Sequence, residues 1–130
     1  MKIYAVISHS LSPEQIHELE KRFHPEEIIC IPEQYKRLWM NISPTGDWNH
    51  EWLIPIINWL KDHLNNGDIV IVQGEYGATY SLVSWLRKQG YSVYYATTER
   101  QVIETIKEDG TVITQRTFKH VNFRKYVEYE

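Results

Sequence analysis

Only one cysteine, Cys30, occurs in the 130 residues, so no disulfide can close within the chain and stability has to come from packing. A chain of this length buries an ordinary core as a single domain, 1–130, without such staples. A reducing cytoplasm is the expected compartment, and within Ile28-Ile29-Cys30-Ile31 the thiol is expected to be a small buried side chain. No apolar run approaches the roughly 20 residues that cross a bilayer. The opening Met1-Lys2-Ile3-Tyr4-Ala5-Val6-Ile7 reads as a strand and not a signal peptide. Positive charge is not in excess: the formal net charge of −3 argues against wrapping long duplex nucleic acid, while leaving a small anionic ligand open. The six histidines have no metal-ligand spacing and the lone cysteine adds none, so no metal site is expected. Internal repeats, low-complexity tracts and linkers are also lacking.

What is present is organised around Ile69-Val70-Ile71-Val72-Gln73-Gly74-Glu75-Tyr76-Gly77-Ala78-Thr79-Tyr80. Four β-branched residues in a row, after the turn residues Asn65-Asn66-Gly67-Asp68, read as a central parallel strand covered on both faces. Gly74 and Gly77 then permit a sharp turn and close approach to a ligand, and the first amides of the following helix are expected to point at an anion. Their spacing matches neither the dinucleotide fingerprint nor the Lys-bearing phosphate loop, so no nicotinamide cofactor or nucleoside triphosphate is expected, and no cofactor of any kind. A purely structural tight turn is the plainer reading of the same glycines.

Around this strand the chain alternates strand and helix. Lys2 to Ile7 is a strand; Ser12-Pro13-Glu14-Gln15 supplies a capping box and an early proline for a helix with Ile16, Leu19 and Phe23 on its buried stripe. Glu27 to Ile31 is a second strand. A short helix follows with Tyr35, Leu38 and Trp39, and then one with Trp52, Ile56, Trp59, Leu60 and His63 near one face. Asp47 is a candidate cap for that second helix, although Pro55 calls for a kink or a later start. Thr79 to Gln89 is expected as a helix with Tyr80, Val83 and Leu86 inward, closed by Gly90, and Tyr91 to Ala96 as a further parallel strand ending in Thr97-Thr98-Glu99-Arg100. From Gln101 the period becomes two, and Glu108-Asp109-Gly110-Thr111 is a hairpin turn. The fold class is therefore α/β: a Rossmann-like, mostly parallel sheet flanked by helices, with a C-terminal antiparallel hairpin over about 100–126.

Right-handed crossovers put the carboxyl ends of parallel strands on one edge, where ligands bind. That edge should gather Ser8, His9 and Ser10; Gln73, Gly74, Glu75, Tyr76, Gly77 and Thr79; and Thr97, Thr98 and Arg100. Hydroxyls, helix-end amides, one imidazole and one guanidinium suit a phosphate ester, with Arg100 neutralising charge and His9 moving a proton. Plainer readings stand beside these: His9 as a solvated loop residue, Arg100 paired with Glu99 or Glu104, and Lys119, Arg124 and Lys125 as a solvated strand face. There is no nucleophile elbow, and Ser8 and Ser10 beside His9 lack an acidic third member in sequence.

Three stretches taken together, Val72 to Tyr80, Tyr95-Ala96-Thr97-Thr98-Glu99-Arg100 and Phe118-Lys119-His120-Val121-Asn122-Phe123-Arg124-Lys125-Tyr126, with a strand ending in Ser8-His9 upstream, resemble the small CRISPR-associated Csx-type accessory proteins of type III systems. The resemblance spans nearly the whole chain. It implies a stand-alone CRISPR-associated Rossmann-like (CARF-like) domain, a homodimer, and a cyclic oligoadenylate ligand, the tetra-adenylate first among ring sizes. Members that cut this messenger are ring nucleases that switch the antiviral response off. The reaction needs no metal: a ribose 2′-hydroxyl attacks its own phosphate, and the protein fixes geometry and stabilises charge. Within that reading His9, Arg100 and Tyr76 are the catalytic candidates, and Thr79 and Thr98 orient the ligand; His120 and Arg124 are second-rank ligand contacts. Two alternatives stay open: a protein that sequesters cyclic oligoadenylate without cutting it, and a regulatory or interaction module built on the Trp- and Tyr-rich surface.

Overall fold

A computed structural model describes residues 1–130 as one five-stranded sheet flanked by helices. The elements run β1 (Lys2–Ile7), α1 (Pro13–Phe23), β2 (Glu27–Cys30), α2 (Glu33–Met40), a 3₁₀ turn (His50–Leu53), α3 (Ile54–His63), β3 (Ile69–Gln73), α4 (Tyr76–Lys88), β4 (Ser92–Ile106) and β5 (Val112–Lys125). The strand order is β2-β1-β3-β4-β5; the first four are parallel and β5 is antiparallel to β4. Alternation along the strands splits the core into two layers. Tyr4, Val6, Val70, Val72 and Val93 face α2, α3 and α4, whereas Ile3, Ala5, Ile7, Ile69, Ile71, Tyr94 and Ala96 face α1.

Local chemistry sets the boundaries. Ser12 accepts from the Gln15 amide while the Gln15 side chain accepts from the Ser12 amide, completing the expected capping box of α1. Pro55 sits in the first turn of α3, which begins after the Asn49-capped 3₁₀ turn and not at Asp47. Three expectations need correction. Cys30 is exposed, because it ends the short edge strand β2 and not a buried one. Helix α4 starts at Tyr76, three residues before Thr79; Val83 and Leu86 are buried as expected, but Tyr80 is exposed, because the stripe facing the sheet runs through Ala78, Leu82, Val83 and Leu86. Thr97-Thr98-Glu99-Arg100 is not a loop: β4 continues through it for 15 residues, pairing with β5 as a long two-stranded arm that runs past the carboxyl edge. No helix is long and apolar enough to cross a membrane.

Candidate functional site

The carboxyl ends of β1 and β3 lie side by side, with Ile7 in register with Gln73, so Ser8-His9 leaves the sheet next to Gly74. This is where the strand order reverses, β2 lying to one side of β1 and β3 to the other. Gly74 owes its identity to packing: a Cβ there would meet the Trp39 indole at 2.5–2.7 Å. Trp39 is 1% exposed, and its Nε1–H donates to the Gln73 carbonyl at 2.9 Å, fixing the strand end from below. Its φ is not positive, so the expected sharp turn is not what selects glycine.

The start of α4 differs from a bare anion site. The Glu75 carboxylate accepts from the Ala78 amide at 2.9 Å, taking one of the free donors itself and bringing negative charge to the helix N-terminus. Gln73 is likewise engaged. Its side-chain oxygen accepts from the Ala96 amide at 2.9 Å, and its amide nitrogen donates to the Ala96 carbonyl at 3.4 Å. Backbone pairing of β3 with β4 ends at Ile71 and Tyr94, so this side chain continues the ladder where the two strands part.

Beside these residues is a cleft of about 370 Å³ lined by Gln73, Gly74, Tyr76, Thr79, Tyr80, Tyr95 and Tyr126. Four of its seven walls are tyrosines. Tyr76 and Tyr80, four residues apart on α4, are 94% and 78% exposed, an unusual outlay of aromatic surface on water. Tyr95 and Tyr126 stack obliquely with ring centroids 4.6 Å apart. Burial, with Tyr95 beside it, pushes the Tyr126 hydroxyl up to about 12, and that hydroxyl donates to the Val72 carbonyl at 2.8 Å. Arg124, opposite Tyr95 in the ladder, holds its guanidinium 6.0 Å from the Tyr95 ring centroid and brings positive charge to this side. The Thr79 hydroxyl oxygen is buried with no partner.

The cleft thus joins Gln73, Gly74, Tyr76 and Thr79, with Glu75 and Gly77 on the adjoining turn and Arg124 alongside. Ser8 and His9 leave the sheet beside Gly74 without lining the cleft, and the other candidates lie farther off. His9 is exposed, its Nδ1–H donating to the Ser10 carbonyl at 3.0 Å, and Ser10 lines a different depression between α1 and β2. Thr97 is held by Asn122, its hydroxyl donating to the Asn122 side-chain oxygen at 2.6 Å, at a β-bulge between Thr97 and Thr98. Arg100, opposite Phe118 on the arm, is four residues past Ala96, about 13 Å along the strand from it. The His120 side chain is 7% exposed, and its Nε2–H donates to the Glu18 carboxylate of α1 at 2.7 Å. Glu18 also accepts from the Phe123 amide at 2.8 Å and from Arg22 at 3.4 Å. Burial would raise the Glu18 carboxyl, but the Phe123 amide, His120 and Arg22 together hold it below the usual range. No three His, Cys, Asp or Glu side chains come together as a metal-ligand set. Tyr80, Tyr95 and Tyr126 escaped the sequence reading. The Tyr76–Tyr80 spacing was a usable signal, hidden by starting the helix at Thr79.

A family model described as "Uncharacterized protein MJ1673 family" matches residues 1–124. A protein of Methanocaldococcus jannaschii, "Uncharacterized protein MJ1673", is 38% identical over 128 residues, covering 98% of each chain. Neither description names an activity, a substrate or a partner. No solved structure matches the chain significantly.

Proposed function

The chain belongs to the MJ1673 family, and we propose that it binds cyclic oligoadenylate in the tyrosine cleft and opens the ring by metal-independent transesterification. The cleft carries this reading: four tyrosines and a bare glycine backbone surround about 370 Å³ where the strand order reverses. Adenines stack on exposed tyrosine rings without needing sequence-specific contacts, and Arg124 supplies charge for a neighbouring phosphate. In this reading the sheet is a Rossmann-like (CARF-like) domain acting as a cytoplasmic homodimer in type III CRISPR signalling, with one two-fold ring served by the same cleft twice. A 2′-hydroxyl attacks the adjacent phosphorus, the P–O5′ bond breaks, and a 2′,3′-cyclic phosphate and a 5′-hydroxyl result. His9, leaving the sheet beside Gly74, takes the 2′-hydroxyl proton, and the departing O5′ takes a proton from water to become the 5′-hydroxyl. Arg100 stands on the arm beyond its own cleft, so this reading requires the dimer to bring it to a phosphate held in the partner's cleft.

Binding without cutting is the second reading, and Glu75 favours it. Its carboxylate occupies the helix-end amide that would otherwise hold a phosphate oxygen of the transition state. Incubation of chelator-treated protein with cyclic tri-, tetra- and hexa-adenylate, followed by chromatography under single and multiple turnover, separates the two. Linear fragments ending in cyclic phosphate mean cleavage; intact bound ring means sequestration; no binding of any ring rejects both. With cleavage, His9→Ala slows it by about 100-fold or more with affinity kept, and Arg100→Ala weakens affinity by about tenfold. Equal loss of rate and affinity in the His9 variant would make His9 a ligand-positioning group.

A further inference from the structure

From Glu99 to Ile106 every residue of β4 is exposed, and β5 alone holds it. A two-stranded ribbon by itself is marginal in water, since it has no third strand or helix on which to bury an apolar face. The two sides of this ribbon differ. Directly opposite residues share a side, so Phe118 lies on the same side as Val102, Glu104, Ile106, Val112 and Arg116. Four of these six are large and apolar, and they remain between 54% and 75% exposed. The other side is mostly polar, with Ile103 and Ile113 as its apolar residues. Phe118 is two residues from His120, whose ring meets Glu18 of α1, so the apolar side is the α1 side, away from the tyrosine cleft.

Charge narrows the choice of partner. Between Thr98 and His120 four cations balance four carboxylates, and the tip carries Glu108 and Asp109, whereas an arm that grips nucleic acid would be basic. Arg116 and Glu104 stand on neighbouring rungs of the apolar side, and neither forms an ion pair within the chain. A second copy of the same side offers each its opposite. We infer that this side of the arm is a contact between two copies of the chain, with the arms face to face and antiparallel about a two-fold axis. Antiparallel stacking sets the root of one arm on the tip of the other, so Phe118 packs on the partner's Val112 and the partner's Ile106, and Arg116 meets the partner's Glu104, each contact made twice. Parallel stacking is disfavoured because it sets Arg116 nearer the partner's Arg116 than the partner's Glu104. Eight residues by two strands give a face of about 27 Å by about 10 Å. That is well short of the about 800 Å² per partner of a standard interface, so the pairing is weak and reversible. It needs no ligand and stands apart from the adenylate reading. Arg100 shares this side, opposite Phe118, and is not available to a phosphate while the arms are paired, so the contact belongs to the ligand-free protein.

Sedimentation velocity of the ligand-free protein over a concentration series tests this, alongside Glu104→Arg and Arg116→Glu at exposed positions. The parent passes from monomer to dimer with a Kd in the micromolar range. Each charge reversal sets like charges together twice and weakens the dimer by about tenfold or more. Phe118→Gln weakens it by a similar factor through lost apolar contact. An equimolar mixture of the two charge variants recovers the dimer, because each reversed side chain then meets its opposite on the other chain, and this recovery also shows that both variants fold. A parent that stays monomeric at millimolar concentration, a dimer indifferent to these substitutions, or a mixture no better than its components overturns the arm contact.

Discussion

Replacing Gly74 by alanine tests how the site is supported. The added Cβ would lie 2.5 Å from Nε1, 2.6 Å from Cε2 and 2.7 Å from Cζ2 of Trp39, distances that real side chains do not tolerate. Trp39 has nowhere to go, since it is buried among Tyr4, Val6, Val72 and the helices on that face. Overpacking costs about 1–3 kcal/mol. Displacing the indole also strains its hydrogen bond to the Gln73 carbonyl, worth about 1 kcal/mol. The restricted unfolded chain returns about 0.4–1 kcal/mol. The net loss is about 2 kcal/mol, which lowers Tm by about 6–12 °C for a domain of this size. Gly77→Ala is the control. Its Cβ would lie 3.1 Å from Glu75 Oε1 and 3.2 Å from Trp48 Cε3, so the exposed carboxylate and the half-buried indole have to give by only a few tenths of an ångström. That variant should stay within about 0.5 kcal/mol of the parent once helix propensity is counted. Urea unfolding followed by tryptophan fluorescence measures both, with unchanged m-values confirming comparable unfolded states. If Gly74→Ala matches Gly77→Ala, Trp39 does not dictate the glycine and the steric argument fails.

Two further outcomes concern pH. Glu18 has a depressed folded pKa, so its contribution is present above the unfolded carboxyl value, near 4.5, and is lost as pH falls through the lower folded value. Glu18→Gln should flatten the stability profile at acid pH and loosen β5 from α1; an unchanged acid limb in urea midpoints would contradict this. Tyr126 is raised to about 12 from 10.0, so its contribution is complete below about pH 10 and disappears as pH rises towards 12. Tyr126→Phe should cost about 1 kcal/mol at neutral pH through loss of the bond to the Val72 carbonyl, and remove the last-titrating phenol from the absorbance curve.

Strand β3, the capping box at Ser12 and the hairpin turn at Gly110, whose φ of 85° only glycine adopts easily, were legible because each is a local signal. The reach of β4 was not. Its residues after Ala96 have strand-forming character, but the reading stopped the strand at the carboxyl edge where a parallel strand usually ends. Tyr95 and Tyr126 became neighbours through the β4–β5 register, which a bulge at Thr97 sets and no single stretch encodes. His120 looked like a ligand contact from its motif. Only the packing of α1 against β5 shows that its partner is Glu18, 102 residues away. Glu75 was read as part of an anion loop, whereas its carboxylate reaches three residues forward to cap the helix.

The two-stranded arm gives one polypeptide strand two regimes of hydrogen exchange. From Val93 to Ala96, β4 lies over the core and its amides open only with the whole domain. From Glu99 to Ile106 both faces of the arm are in water, and only β5 holds it. Those amides open by local fraying from the Gly110 end, at a fraction of the global free energy. The boundary between the regimes is the Gln73 side chain, the last contact β3 makes with β4. A partner that grips the arm would slow exchange there while leaving the core amides as they were.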